Sequence, residues 1–151
     1  KNIMKYTCTV EINLPLRRTA ELWDDETHFT EWQDNFQSIE LINGKKDTAG
    51  AKSKIIFEGK QKMELIETII TSNLPKEKKA MYEHIHMTNI QHTEFKAINS
   101  NTTLFTSTVE YTKFNKLMIR IFAKLFPKVF KRQSERWMAQ FKTFAENYLE
   151  A

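Results

Sequence analysis

An α+β fold is what this sequence predicts: a meander of antiparallel strands closed by a long C-terminal helix. Three observations carry that reading. Residues 6–14 alternate apolar with polar, the period of a half-buried strand. Residues 36–111 break into short segments separated by turn residues, as hairpin-connected strands do. Residues 115–149 change to a helical period, and a helix of that length covers a whole sheet.

The elements follow in order. In the first strand, Tyr6 to Leu14, the residues Cys8, Val10, Ile12 and Leu14 share one face. Pro15 opens a helix, where its missing N–H costs nothing, and Ala20, Leu22 and Trp23 form the apolar side. A short helix or turn through His28–Gln33 carries Phe29 and Trp32. Strands are then expected at Phe36–Ile42, Gly50–Phe57, Lys60–Thr71, Glu77–Met87, Ile90–Ile98 and Thr102–Tyr111. Turn residues separate them at Asn43–Asp47, Gly59, Ser72–Pro75, Thr88–Asn89 and Asn99–Asn101. In the final helix Leu117, Met118, Ile119, Ile121, Phe122, Leu125 and Phe126 sweep a broad apolar arc. Pro127 kinks or splits the helix, and Phe130, Trp137, Phe141, Phe144 and Tyr148 continue as a narrower stripe.

Composition narrows the function. At 151 residues the chain has the size of one domain, and 1–151 is expected to be one, since no repeat or linker divides it. Hydrophobic residues make up 40% and charged residues 28%, outside the range of disordered chains. No apolar run approaches the roughly 20 residues of a membrane span, and the stretch Lys1–Leu14 has no continuous signal-like core, so a cytoplasmic location is expected. The only glycines are Gly44, Gly50 and Gly59. Neither a dinucleotide-binding nor a P-loop glycine motif can be written with them. The lone Cys8 forms no internal disulfide and belongs to no multi-cysteine metal motif; a small buried hydrophobe is the expected role.

The element order, with Leu22-Trp23, Phe29-x-x-Trp32, Ile39-Glu40-Leu41 before a turn, and Gly50-Ala51-Lys52, resembles the START-like superfamily. That superfamily includes Bet v 1-type allergens and polyketide cyclase/dehydrase-like (SRPBCC) proteins. The resemblance implies a helix-grip fold, in which a curved sheet of about seven strands wraps around the long helix and leaves a cavity between them. It further implies binding of lipids, quinones, polyketide-like or similar ligands; some relatives are cyclases or dehydratases, and others activate a chaperone ATPase. The chain departs from the plant allergens at residues 43–50, where their glycine-rich loop is absent.

The inward faces of the strands supply the candidate site. Ile55 and Phe57 face inward, because burying Lys52, Lys54 and Glu58 would be costly. Met63, Leu65 and Glu67, then Met81, Glu83 and Ile85, are expected to continue that wall, followed by Phe95, Phe105, Val109 and Tyr111. Trp32 and the helix residues Trp137, Met138 and Phe141 close it. Such a wall suits an apolar ligand held by sparse polar contacts. If Leu65 pairs with Glu83, then Glu67 and Glu83 lie about 7–8 Å apart, and their desolvation and repulsion poise an acid/base pair. With Tyr111 they are the candidate catalytic residues, but no family catalytic signature accompanies them. His84, His86 and His92 share the phase of Lys76, Lys78 and Tyr82, which reads as a solvent face, so no metal or other cofactor is expected.

Charge is concentrated at the end of the chain. Residues 113–142 hold nine Lys and Arg against Glu135, a net of +8 that leaves −4 on the rest. The aromatic stripe faces the core rather than interleaving with this charge, which argues against nucleic acid. Transient contact with anionic membrane through Lys116, Arg120, Lys124, Lys128, Lys131 and Arg132 is the expectation that remains. The sequence thus points first to carriage of a small hydrophobic or amphipathic ligand. A cyclase/dehydratase-like enzyme and a chaperone-activator-like interaction module are the alternatives.

Overall fold

Seven strands form one antiparallel sheet in the order β1-β7-β6-β5-β4-β3-β2 in the computed structural model, which describes residues 4–149. Residues 1–3 and 150–151 of the expected domain lie outside the described residues. The strands are β1 (Met4–Ile12), β2 (Phe36–Asn43), β3 (Lys52–Glu58), β4 (Lys62–Asn73), β5 (Glu77–Glu83), β6 (Met87–Asn99) and β7 (Thr102–Phe114). Between β1 and β2 lie α1 (Leu16–Asp24), a single 3-10 turn (Glu26–His28) and α2 (Phe29–Trp32). After β7 come α3 (Leu117–Leu125) and α4 (Pro127–Glu146).

Local chemistry accounts for most boundaries. Pro15 stands at the start of α1, and Thr19 there donates its hydroxyl to the Pro15 carbonyl at 2.9 Å. Between β2 and β3, Gly44 has φ +82°, and a Cβ there would stand 2.9 Å from Ala51 Cα. Pro127 splits the expected C-terminal helix: Phe126 leaves the helical region at φ −130°, ψ 56°, and α4 restarts with Pro127 in its first turn, where proline is tolerated. Most strand ends shift by one to three residues from expectation, and the β5–β6 boundary shifts furthest. β5 stops at Glu83, and His84–His86 form the hairpin to β6, closed by paired backbone bonds between His84 and Met87.

Irregularities bend the sheet. The β2–β3, β4–β5 and β6–β7 ladders each carry a register shift, and an extra residue bends a strand and increases its twist. α4 lies across the curved face against β1. The core between them includes Ile12, Leu22, Trp32, Phe95, Phe105, Met138 and the fully buried Phe141. Phe141 meets Trp32 and Phe105 edge-on at 5.3 and 5.6 Å, the geometry aromatic rings favour. Among the described residues no helix is long and apolar enough to cross a membrane.

Candidate functional site

A cavity of about 250 Å³ lies between the sheet and α4, closed at one end by α1 and α2. Two further hollows, around Asp24–Thr27 and between α2 and the end of α4, are open surface grooves. The strands contribute to the cavity through their inward alternation, so successive lining residues on a strand are two, or a multiple of two, apart.

Of the residues named from the sequence, Trp32, Phe57, Met63, Leu65, Glu67, Phe105, Tyr111, Trp137 and Met138 line the cavity. Trp137 stacks on Phe57 with ring centroids 5.5 Å apart. Phe95, Val109 and Phe141 are buried at 4%, 1% and 0% exposure and pack in the core outside the cavity wall. Met81, Glu83 and Ile85 are the correction. They do not line the cavity; Glu83 is exposed, and Ile85 is 74% exposed.

The cause is a single residue in β4. Ile69 pairs with Ala80 and Thr71 with Lys79, leaving Ile70 as a bulge. Glu83 therefore stands opposite Ile66, not Leu65. A shift of one residue exchanges the two faces of a strand, and the inward residues of β5 become Lys78, Ala80 and Tyr82. The expected Glu67–Glu83 pair does not exist, and Lys78 and Tyr82, read from the sequence as solvent-facing, enter the cavity.

This exchange builds a polar cluster on one wall. Tyr82 sits directly across from Glu67 and donates its hydroxyl to Glu67 Oε2 at 2.7 Å. Burial first, and the neighbouring Glu67 charge second, push the Tyr82 phenol far up, so it stays protonated and acts as a donor. Lys78 Nζ donates to Asp24 Oδ1 at 2.9 Å. Burial opposes the Lys78 charge, but Asp24 and Glu67 outweigh it and raise its pKa. For Asp24 the balance goes the other way, burial exceeding the help of Lys78, and its carboxyl is raised. The wall is thus a carboxylate–ammonium–carboxylate–phenol array inside an aromatic and aliphatic chamber.

Other polar groups have defined places. Tyr6 donates to the Phe130 carbonyl at 3.1 Å and shares a 2.9 Å hydrogen bond with Ser134 Oγ, fixing the first turns of α4 to β1. The indole N–H groups of Trp32 and Trp137 are buried without an acceptor among the described residues. His84 also lines the cavity, with burial and then His86 lowering its pKa. His92 pairs with Glu77 at 3.0 Å. The Cys8 thiol is buried and raised by that burial, which withholds the reactive thiolate. Sequence reasoning missed Lys78 and Tyr82 as inward residues; only the bulge reveals them.

No protein-family model matches the sequence, and no curated protein matches it. Solved structures do. The chain is similar to the Zhui aromatase/cyclase from Streptomyces sp. R1128, at 10% identity and TM-score 0.79 over 98% of this chain and 96% of that one. It is similar to Ara h 8.0201, at 12% identity and TM-score 0.74 over 96% and 99% of the two chains. A START superfamily protein from Mycobacterium smegmatis matches at 12% identity and TM-score 0.63, over 87% and 94%. Seven antiparallel strands, two short helices after the first and a long helix at the end make the helix-grip α+β fold, and the chain shares that fold with these proteins.

Proposed function

We propose that the protein binds a small hydrophobic or amphipathic ligand, lipid-, quinone- or polyketide-like, non-covalently in the cavity between sheet and α4. The observation that carries this reading is the cavity itself: about 250 Å³ of space remains where core residues would otherwise meet. Interiors normally pack to crystal-like density, and a chamber of aromatic and aliphatic side chains with a few polar groups is the usual form of a ligand site. The polar wall gives the ligand an orientation. Glu67 accepts from Tyr82 through Oε2, so Oε1 can accept from a ligand hydroxyl or N–H.

Native mass spectrometry of freshly purified protein, with organic extraction of what it carries, tests the reading. The expected result is a small apolar adduct on the wild type that is lost when Ser107, a buried cavity residue, is replaced by Trp. A ligand-free wild type that also fails to take up the amphipathic dye 1-anilinonaphthalene-8-sulfonate would overturn it.

A second reading, an enzyme of the cyclase/dehydratase type, is favoured by one observation: the Glu67–Tyr82 pair couples a carboxylate to a protonated phenol inside the chamber. Tyr111 is its remaining candidate from the sequence, and burial raises its phenol too. Glu67→Gln separates the readings. Retained uptake with lost conversion of an aromatic polyketide-type substrate marks an enzyme; retained uptake with no conversion by either protein marks a carrier.

A further inference from the structure

α3 packs inward through little more than Ala123, which is 1% exposed, and the half-buried Ile119. The rest of its apolar surface faces outward: Leu117 is 69% exposed, Met118 82% and Leu125 65%. Ile121 and Phe122 join them at 48% and 44%. At about 100° per residue, these five side chains cover an arc of roughly 140°. One border of that arc is basic. Arg120 and Lys124 follow it on the helix, with Lys116 just before α3 and Lys128 just after it; all four are exposed. No acidic residue occurs from 113 to 132, and among the described residues none of the four forms an ion pair with a carboxylate.

We propose that α3 is a docking helix for an anionic lipid surface, lying in the plane of the interface with Leu117, Met118, Ile121, Phe122 and Leu125 among the acyl chains. An apolar arc alone would fit many partners. The acid-free basic border selects among them, because long cationic side chains beside an apolar face reach lipid head groups while their stems stay in the apolar layer. Docking would also bring the cavity to the membrane. Phe122 contacts Phe130 at 6.3 Å, and Phe130 lines the cavity. The docking proposal stands apart from the ligand reading, since the exposed arc and its charge are independent of what the cavity holds.

Co-sedimentation with vesicles decides it, using phosphatidylcholine alone and phosphatidylcholine mixed with phosphatidylglycerol. The wild type is expected to bind only the mixed vesicles and to be released as salt rises, since screening shortens to about 3 Å at 1 M. Lys116→Gln/Arg120→Gln/Lys124→Gln should weaken partitioning roughly a hundredfold, at about a factor of five per basic residue. Met118→Asp/Leu125→Asp should abolish it, with thermal unfolding and far-ultraviolet circular dichroism unchanged because both positions are exposed. Absence of wild-type binding at low salt overturns the proposal without any variant. So does equal binding to both vesicles, or a wild-type dimer in sedimentation velocity that Met118→Asp/Leu125→Asp dissociates, which would make a second copy the occupant.

Discussion

Glu146 shows how one side chain joins two elements. Its Oε2 accepts from the Asn13 backbone N–H and from Lys142 Nζ, both at 2.7 Å, tying the last turn of α4 to the end of β1. Burial alone would raise its pKa, but the Lys142 hydrogen bond, the Asn13 N–H and the Lys142 charge together lower it below 4.5. A carboxylate depressed on folding contributes stability above its unfolded value, and that contribution is lost as pH falls through the folded one. Chemical denaturation at stepped pH is therefore expected to show wild-type stability falling below pH 4.5. Glu146→Gln should start lower at neutral pH and slope less through that window. Equal slopes in the two proteins would show that the clasp contributes nothing.

At the scale of elements, the turns and bulges decide which residues meet. Gly44 sits at φ +82° with Ala51 Cα in the path of any Cβ, so Gly44→Ala combines backbone strain with a backbone clash. A cost on the order of 1–3 kcal/mol is expected in urea unfolding. Gly59→Ala should cost less: its contact is the Asn35 side-chain amide at 3.0 Å, which can move. The Ile70 bulge has a larger consequence. The alternation of β4 and of β5 is visible in the sequence, but their relative register is not, because a bulge leaves no required residue type behind. Reading each strand as flat put Glu83 beside Leu65; the extra residue put Tyr82 beside Glu67 and moved Lys78 inside.

At the scale of the whole molecule, the cavity has a thermodynamic signature. Unfilled interior space forfeits packing contacts, so a ligand that binds only the folded state should return stability. At a hundred times its dissociation constant the gain is about 2.7 kcal/mol. Thermal unfolding of the protein as purified is expected above that of the same protein after organic extraction, with the difference restored by adding back the extract. An unchanged midpoint would mean that nothing in the extract binds the fold.

The sequence by itself determined the α+β class, the strand order along the chain, the break at Pro127 and most of the apolar wall. Those features depend on local chemistry: period-two alternation, turn residues, the missing N–H of proline, and one face of a helix. Trp32, Phe57, Leu65, Trp137 and Met138 were legible because a hydrophobic phase marks them. Tertiary structure alone decided the polar wall and the fate of α3. Lys78 is charged, and local pattern therefore sends it to solvent; it enters the cavity because Asp24, from a different element, neutralises it there. Leu117, Met118 and Leu125 are apolar, and local pattern therefore sends them inward; they remain outside because α4, starting afresh at Pro127, already covers the sheet. In both cases a tertiary contact decides, and hydrophobic periodicity carries no information about which segment covers a given face.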